Sequence, residues 1–527
     1  MPSEQSPVFN DAFSNHNEIE RPVQCKVTGR LPSWLNGTLL RNGPGTFKIG
    51  DNEVNHWFDG LAYIRRYYFE NGKMFYSAKH LRSKAFKLNH AANRIVVGEF
   101  GTAAFPDPCK TMFQRFFSHF EQKTFTDNGL VNFVQCSDRV YAVTETPAMN
   151  EVDVETLDTK EKINLAKYVT VNTVTAHHHY DSQGNIYNVG STFGSSGEYV
   201  FVRTDNTKEG DFKATTKIGS IPMNSVLNPS YYHSFGMTED YIVFFECPLR
   251  MNVPKLLAST VTGSSFLDTM HWDPSLPTHI HVINKKTGDP LQIKIRSKAF
   301  FTFHHANAYQ KGDYLIVDYC KTENGNVVRE FTMENMRIGQ ITTTKKDMWA
   351  MLQRMVIPLN IPKKADNEKN LLEGVPFAKG CKAFFKSDGC LWIEDVPLCN
   401  IPVELPRYNY SLNTKPYKYC YGAVFQHPDI TGILKVNVDT KTHVVWRNDN
   451  DKQLCGEPVF VADPYGADED DGVLLCPLIA ASKNEDPAIL VLDAKTMKEV
   501  ARCHLPALIP LGFHGLYMAQ NGLSAKF

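Results

Sequence analysis

AILVLDAKT, residues 488–496, is an unbroken run of five apolar residues ending on Asp493, with Thr496 three positions later. So short an apolar run closed by a turn residue reads as a buried strand, and the Asp carboxylate can accept hydrogen bonds from the backbone that follows it, shaping a hairpin turn. The same strand-into-turn pattern occurs in GILKVNVDTKT (432–442), read on Asp439 and Thr442, in THIHVINKKT (278–287), on Asn284 and Thr287, and at Asp153 with Thr156. Successive offsets of 131, 155 and 54 residues fit two, two and one copies of a unit of roughly 68 residues, long for a propeller blade but open to loop insertions. About seven such units fill the chain. Taken alone, the Asx-x-x-Thr pattern is equally well a common hairpin turn, so the repeat favours a propeller without establishing one.

Other segments agree with an all-β chain: NIYNVGSTF (185–193), YVFVRT (199–204), YIVFFECPL (241–249) and YLIVDYC (314–320) are β-branched or aromatic and bounded by turn residues. No low-complexity linker or Pro/Gly-rich hinge interrupts them. The expectation is a seven-bladed β-propeller with a loop and helical cap, formed as one domain over residues 21–527 and preceded by a flexible extension, 1–20.

Composition removes several function classes. Lys and Arg number 56 against 57 Asp and Glu, a net charge of −1 that offers no basic field for nucleic acid. Hydrophobic residues make up 42%, enough for a large core, yet no stretch near 18 uninterrupted apolar residues suggests a membrane span. The N-terminal MPSEQSPVFNDAFSNHNEIE carries neither an apolar secretory core nor an Arg-rich amphipathic pattern, so a cytoplasmic address is expected. The twelve Cys include no C-x-x-C, and most sit inside apolar runs, as Cys247 and Cys320 do; they read as reduced, buried small hydrophobes.

One helical pattern stands out. KTMFQRFFSHFEQK (110–123) puts Met112, Phe113, Phe116, Phe117 and Phe120 on one face, which suits a core helix or one lying in the plane of a membrane surface. Pro106 to Cys109 marks a rigid turn, with a thiol where an acyl chain would add membrane affinity, and MNVPKLLASTVTGSSFL from Met251 can extend the same patch.

Four His lie within apolar or small-residue contexts: His177, His233, His304 and His514. Their spacings of 56, 71 and 210 residues match no linear metal motif. In a propeller, however, the innermost strands of different blades converge on one axis, where such residues can meet. Glu145, Glu404 and Glu457 occupy similar contexts, and a ligating His commonly donates its second ring N–H to a carboxylate. Ordinary salt bridges are the alternative for each Glu. No G-x-S-x-G, P-loop or H-E-x-x-H occurs, and DEDDG (468–472) reads as a solvated loop.

These residues resemble the carotenoid cleavage oxygenase family, in its animal branch of β-carotene oxygenases and the retinal pigment epithelium isomerase. The resemblance runs through LNGTLLRNGPG (35–45), NHWFDG (55–60), EFGTAAFPDPCK (99–110), Glu145 and its flanking Thr, TAHHH (175–179), PSYYHSFGMT (229–238), FHHANAY (303–309), VELPRYNY (403–410), GEPVFV (456–461), EDDGV (469–473) and FHGLY (513–517). It implies one Fe(II) on His177, His233, His304 and His514, the candidate metal-binding and catalytic residues. Glu145, Glu404 and Glu457 would then orient His233, His304 and His514, and Phe58, Phe100 and Thr144 would line the substrate tunnel. The implied reaction adds both atoms of O2 across one double bond of a carotenoid, with central 15,15′ cleavage to retinal ahead of eccentric 9′,10′ cleavage. A retinyl ester isomerohydrolase is the alternative within the family, and a non-catalytic carotenoid-binding propeller the alternative outside enzymes. A lipid-dissolved carotenoid or retinoid substrate turns the Phe-rich helix toward the membrane reading: peripheral docking through residues 105–126, with Cys109 a lipidation candidate. One departure is His178, where the family commonly has Pro; strand alternation would put His177 and His179 on one side and His178 on the other.

Overall fold

The computed structural model describes residues 8–106, 126–194, 196–207, 209–340, 345–362, 369–426 and 430–520. Among them, seven largely antiparallel sheets of four or more strands form the blades of a propeller. The second blade is typical, built from Asn132–Cys136, Arg139–Val143, Ala148–Val152 and Thr159–Asn164 in sequence order. The third to sixth blades follow along the chain, their inner edges at Thr173–Val174 with His179–Tyr180, Gly236–Met237, Phe301–Lys311 and Glu404–Arg407. The seventh starts at Gln453–Cys455 and Val459–Ala462.

The two ends of the chain close the ring. Gly515–Ala519 pairs with Gly37–Arg41 to complete the first blade from inside, in register from Gly37 with Ala519 to Arg41 with Gly515. Lys26–Gly29 adds to Glu499–His504 at the outer edge of the seventh. A blade is covered on both faces by its neighbours, so its middle strands are apolar throughout rather than alternating. Leu490, Val491 and Leu492 are all fully buried, each burial stabilising by about 1.5–3 kcal/mol. Strands toward the outside of a blade are less covered, and Glu499–His504, second from the outer edge of the seventh, alternates buried with partly exposed positions.

The Asx-x-x-Thr turns fall where the repeat predicts, each joining the third and fourth strands of a blade, in the second, fourth, sixth and seventh blades. The side chains of Asp153, Asn284 and Asp493 accept the backbone N–H three residues on, at 2.9, 3.1 and 2.7 Å. In the sixth blade the turn sits two residues earlier than read: Asn437, not Asp439, accepts from the N–H of Thr440 at 3.0 Å. The strand has already ended at Asn437, whose last pairing is with Tyr419.

Residues 8–20 do not behave as an extension. Phe9, Ala12 and Phe13 are fully buried, the Phe9 N–H donates to the carbonyl of Arg337 at 2.8 Å, and Ile19–Gln24 pairs with Lys73–His80 as an outer strand. Two aromatic rings four residues apart on a short helical turn bury enough apolar surface to tie the segment down. The stretch from Met251 contains a helix, Val253–Thr262, opened by the Asn252 side chain and closed by Gly263 in the left-handed region (φ 66°). The expected Phe-rich helix at 110–123 and Cys109 lie outside the described residues. No helix of the described residues is long and apolar enough to cross a membrane.

Candidate metal centre and its cavity

Every blade sends one residue to the axis. His514 precedes the innermost strand of the first blade and His233 that of the fourth; His177 lies between the two short inner strands of the third, and His304 on the inner strand of the fifth. Glu145 follows the second strand of the second blade, Glu404 opens the sixth, and Glu457 lies between the two short inner strands of the seventh. Candidates scattered over the sequence are thereby brought together, with one ligand atom from each of the four His within 4.8 Å of the others.

The three carboxylates stand behind three of the imidazoles. Nδ1 of His233 donates to Glu145 at 2.5 Å, that of His304 to Glu404 at 2.6 Å, and that of His514 to Glu457 at 2.8 Å. Each bond fixes its ring as the tautomer with a lone pair on Nε2, aimed at the common centre. Nε2 of His177 lies 2.9 Å from Nε2 of His233, and Nε2 of His304 lies 3.2 Å from that of His514. The last two are both lone-pair acceptors, so they repel unless a cation stands between them. Two nitrogens each about 2.1 Å from one ion are about 3.0 Å apart at a right angle and about 3.4 Å apart at the tetrahedral angle. The 2.9 Å separation matches the right angle and the 3.2 Å one falls between the two, spacings that one ion could bridge. Four neutral imidazoles suit Fe, Cu, Ni and Zn, so the donor set fits a metal.

Burial favours the neutral form of three of the imidazoles. Desolvation lowers His177 and His304 well below the usual histidine range and His514 to about 3, which keeps them available to a metal at neutral pH. The carboxylates differ among themselves. Burial pushes Glu404 up to about 7. Glu457 is buried more deeply, but Arg407, His514 and Arg41 outweigh the desolvation and hold it far below the usual carboxylate range. Its oxygens accept from Arg41 at 2.6 Å, Arg407 at 2.7 Å and the N–H of Gly515 at 3.0 Å.

The two arginines and a third place the closing strand. Arg41 also donates to the carbonyl of Phe513 at 2.9 Å, Arg407 to that of Gly515 at 2.7 Å, and Arg65 to that of Pro510 at 2.7 Å. Gly512 permits this approach, since a Cβ there would stand 2.0 Å from Nη2 of Arg65. Sequence reasoning missed all three arginines, because Arg reads as a surface residue by default. It also missed Tyr231, whose hydroxyl donates to both oxygens of Glu145 at 3.0 Å; its place two residues before His233 in PSYYHSF was the available signal.

His178 and His179 stay out of the cluster, but not by alternation. The chain leaves the strand after Val174 and rejoins it at His179. His178 accepts from the Asn188 amide at 3.0 Å, and His179 donates to the carbonyl of Phe235 at 3.0 Å. His305 points away from His304 and bonds the Ser234 hydroxyl at 2.8 Å.

The cluster opens on a cavity of about 1530 Å³ whose walls include His233, His304 and His514, and the three expected tunnel residues Phe58, Phe100 and Thr144. It exceeds the roughly 300–1,000 Å³ of pockets for drug-sized ligands. Aromatic rings crowd the metal end: Phe58 lies 5.4 Å from Phe100, 5.4 Å from Phe513 and 5.5 Å from Phe331 between ring centres. A space of this volume, aromatic at the metal end, suits a large apolar molecule.

Comparison with known proteins agrees with this arrangement. The sequence pattern of the family described as retinal pigment epithelial membrane protein matches residues 12–519. Carotenoid-cleaving dioxygenase, mitochondrial, of Macaca fascicularis is 39% identical over 97% of this chain and 95% of its own length. The β,β-carotene 15,15′-dioxygenase of Homo sapiens is 37% identical over 97% of this chain and 95% of its own length. A solved mutant of Synechocystis apocarotenoid oxygenase superposes with a TM-score of 0.78 at 20% identity, covering 98% of this chain and 99% of that one, a likeness of fold. With a seven-bladed ring, four axial histidines and relatives matched over nearly their whole length, the chain belongs to the animal branch of the carotenoid cleavage oxygenase family.

Proposed function

We propose that the protein is a non-haem Fe(II) dioxygenase that cleaves one double bond of a carotenoid, with central 15,15′ cleavage of β-carotene to retinal ahead of eccentric 9′,10′ cleavage. The observation that carries this reading is the set of Nε2 lone pairs converging at the wall of a large, aromatic-lined cavity. His177, His233, His304 and His514 would hold the metal. Bound there, ferrous iron supplies redox chemistry with dioxygen and coordination positions beyond the four nitrogens. Both oxygen atoms of O2 end on the two carbons of the cleaved bond, so one C=C and one O=O become two C=O groups without an external reductant. The chain's own part is positioning. Glu145, Glu404 and Glu457 orient three imidazoles, Tyr231 holds Glu145, and Phe58, Phe100 and Phe513 pack the polyene and keep out water. No side chain has to move a proton.

The test is incubation of the iron-loaded protein with β-carotene under ¹⁸O₂ and, separately, with all-trans-retinyl ester. The expected product is labelled retinal from β-carotene alone; retinol from the ester as sole product would overturn the dioxygenase reading. Metal analysis belongs beside it, since unchanged iron in His233→Ala would remove the centre proposed here.

The reading includes peripheral contact with a membrane from the cytoplasmic side. Leu88, Phe105 and Leu257 line the cavity and are 40%, 40% and 73% exposed, and Leu227, 57% exposed, lies beside the first turn of the helix that carries Leu257, its carbonyl accepting the N–H of Val253 at 2.9 Å. Apolar side chains around a cavity for a lipid-dissolved substrate suit a bilayer surface. Leu227→Asp with Leu257→Asp should cut sedimentation with phosphatidylcholine vesicles at least tenfold, each leucine contributing about 1.5 kcal/mol or more on burial. Unchanged sedimentation would refute docking through this rim, and recovery of the protein from the mitochondrial matrix would refute the cytoplasmic side.

A further inference from the structure

Part of the cavity wall is polar. Apart from residues at the metal centre, the charged side chains in its wall are Lys84, Glu99, Asp127, Lys162 and Glu330. Glu330 is paired with Lys345 at 3.0 Å. Of the other four, Lys84, Asp127 and Lys162 form one group, joined by the Lys162–Asp127 ion pair at 2.7 Å and the backbone N–H of Lys84 on Asp127 at 2.8 Å, and Glu99 stands apart from these bonds. Thr126 donates its hydroxyl to Oε1 of Glu99 at 2.8 Å and is itself in the cavity wall.

The buried carboxyls here differ in how fully they are used. Asp59 takes the Gly101 N–H at 2.8 Å and the Thr102 hydroxyl at 2.5 Å, which fixes the loop bearing Phe100. Asp127 takes the Lys84 and Ala85 N–H groups at 2.8 and 2.9 Å together with the Lys162 ammonium. Among the described residues Glu99 meets no cation; its neighbours are the Thr126 hydroxyl and the Asn128 amide. A carboxyl so placed in the wall of an apolar tunnel is costly unless something in the tunnel bonds it.

We propose that Glu99 and Thr126 form a polar subsite that receives the oxygenated end of the polyene, a ring hydroxyl or a terminal carbonyl, so that the protein prefers oxygenated over all-hydrocarbon carotenoids. The inference rests on the carotenoid reading above and adds to it which end group the tunnel selects. Burial, reinforced by Asp59 and Asp127 and partly offset by Thr126 and Asn128, pushes Glu99 well above the usual carboxylate range, which favours its protonated form. A neutral carboxylic acid both donates and accepts, which matches a hydroxyl in either role and a carbonyl as acceptor. Phe100, next in the chain, faces the metal end with its ring 6.1 Å from that of Tyr231. The subsite therefore also sets how far one end of the polyene runs past the centre. A site built to hydrogen-bond a substrate oxygen discriminates against the analogue lacking it, because its own buried groups are left unpaired.

The experiment is an anaerobic titration of the iron-loaded protein with β-carotene and with its 3-hydroxy derivative, following the polyene absorption band so that binding is read without cleavage. The wild type should bind the hydroxylated polyene about tenfold more tightly or better. Glu99→Leu and Thr126→Val should each bring the ratio of dissociation constants to within about threefold of one, while Glu99→Gln, which keeps a donor and an acceptor, should retain most of the preference. The two altered residues are separate, so a folding failure in one leaves the other to decide. A wild-type ratio near one, or an unchanged ratio in both variants, overturns the subsite while the carotenoid reading stands. Failure to bind either polyene overturns both.

Discussion

Glu457→Gln and Glu404→Gln make the same chemical change behind two histidines, yet they should differ sharply in stability. Glu457 is 1% exposed and takes four donors: Arg41 at 2.6 Å, Arg407 at 2.7 Å, His514 at 2.8 Å and the N–H of Gly515 at 3.0 Å. The amide removes the carboxylate facing the buried guanidinium of Arg41 and the half-buried one of Arg407, and turns one oxygen into a donor. Breaking a buried ion pair from one side typically costs about 3–5 kcal/mol. Glu404 holds only His304 at 2.6 Å and the N–H of Leu405 at 2.9 Å, with no cation on its oxygens. Its loss should cost about 1–2 kcal/mol, the scale of an imperfect buried hydrogen bond. Both changes disturb a histidine and should weaken metal binding about 10–100-fold. Urea unfolding of the metal-free proteins reads the first quantity, and competition with a chelator reads the second. Equal losses of stability in the two variants would refute the assignment of Arg41 and Arg407 to Glu457 as a charged cluster that also holds the closing strand.

His56 makes stability depend on pH. Its Nε2–H donates to the carbonyl of Val328 at 2.8 Å, its Nδ1 accepts the N–H of Phe58 at 3.2 Å, and burial lowers its pKa from 6.5 to about 4. Because the folded value lies below the unfolded one, stability is full above pH 6.5, declines as pH falls to about 4 and stays reduced below. The fall should approach 3 kcal/mol, about 1.4 per pH unit, and a His56→Gln variant whose urea midpoint falls as steeply over this window would refute it. His178→Ala should keep its full complement of iron while His177→Ala loses most of it, as metal analysis of the purified variants would show; the reverse result would exchange their roles. Gly512→Ala should lower both stability and iron content, since the new Cβ must displace Arg65 or the backbone of Asn42, 2.0 and 2.5 Å away. Wild-type values in that variant would show that Arg65 does not place Phe513 and His514.

The blade repeat was legible because a strand sandwiched between neighbours must be apolar throughout and end on a residue that turns the chain. Its register slipped at one site only, where Asn437 and Asp439 both precede a Thr by three positions and composition cannot rank them. The axial His and Glu were legible for a related reason: a polar residue inside an apolar segment has to be bonded to something. What accompanies them was not. Arg41 and Arg407 sit in segments that look like ordinary strand ends, and only the fold shows that both reach one carboxylate. Asp470 was hidden in the same way: within the apparently solvated DEDDG it is 5% exposed and paired with Lys435 at 2.6 Å. The placement of Phe9 and Phe13 depends in part on a residue hundreds of positions later, Arg337, which bonds the main chain of both.

Ring closure and the metal centre share residues, which links assembly to activity. Gly515–Ala519 can complete the first blade only when His514 arrives on the axis, and Arg41, on the strand it pairs with, is bonded to Glu457, which in turn holds His514. Opening the ring at this seam therefore removes one of the four imidazoles, breaks a buried ion pair and exposes the inner edge of the first blade in a single event. An ion that binds only the closed ring stabilises it by an amount that grows with the logarithm of its free concentration over its dissociation constant. The seam is held by main-chain pairing on one side and by two guanidinium groups on the other, so the apo protein can stay closed in the geometry that receives the ion. Because the histidines come from four blades and the carboxylates from the other three, distortion of any one blade is felt at the centre.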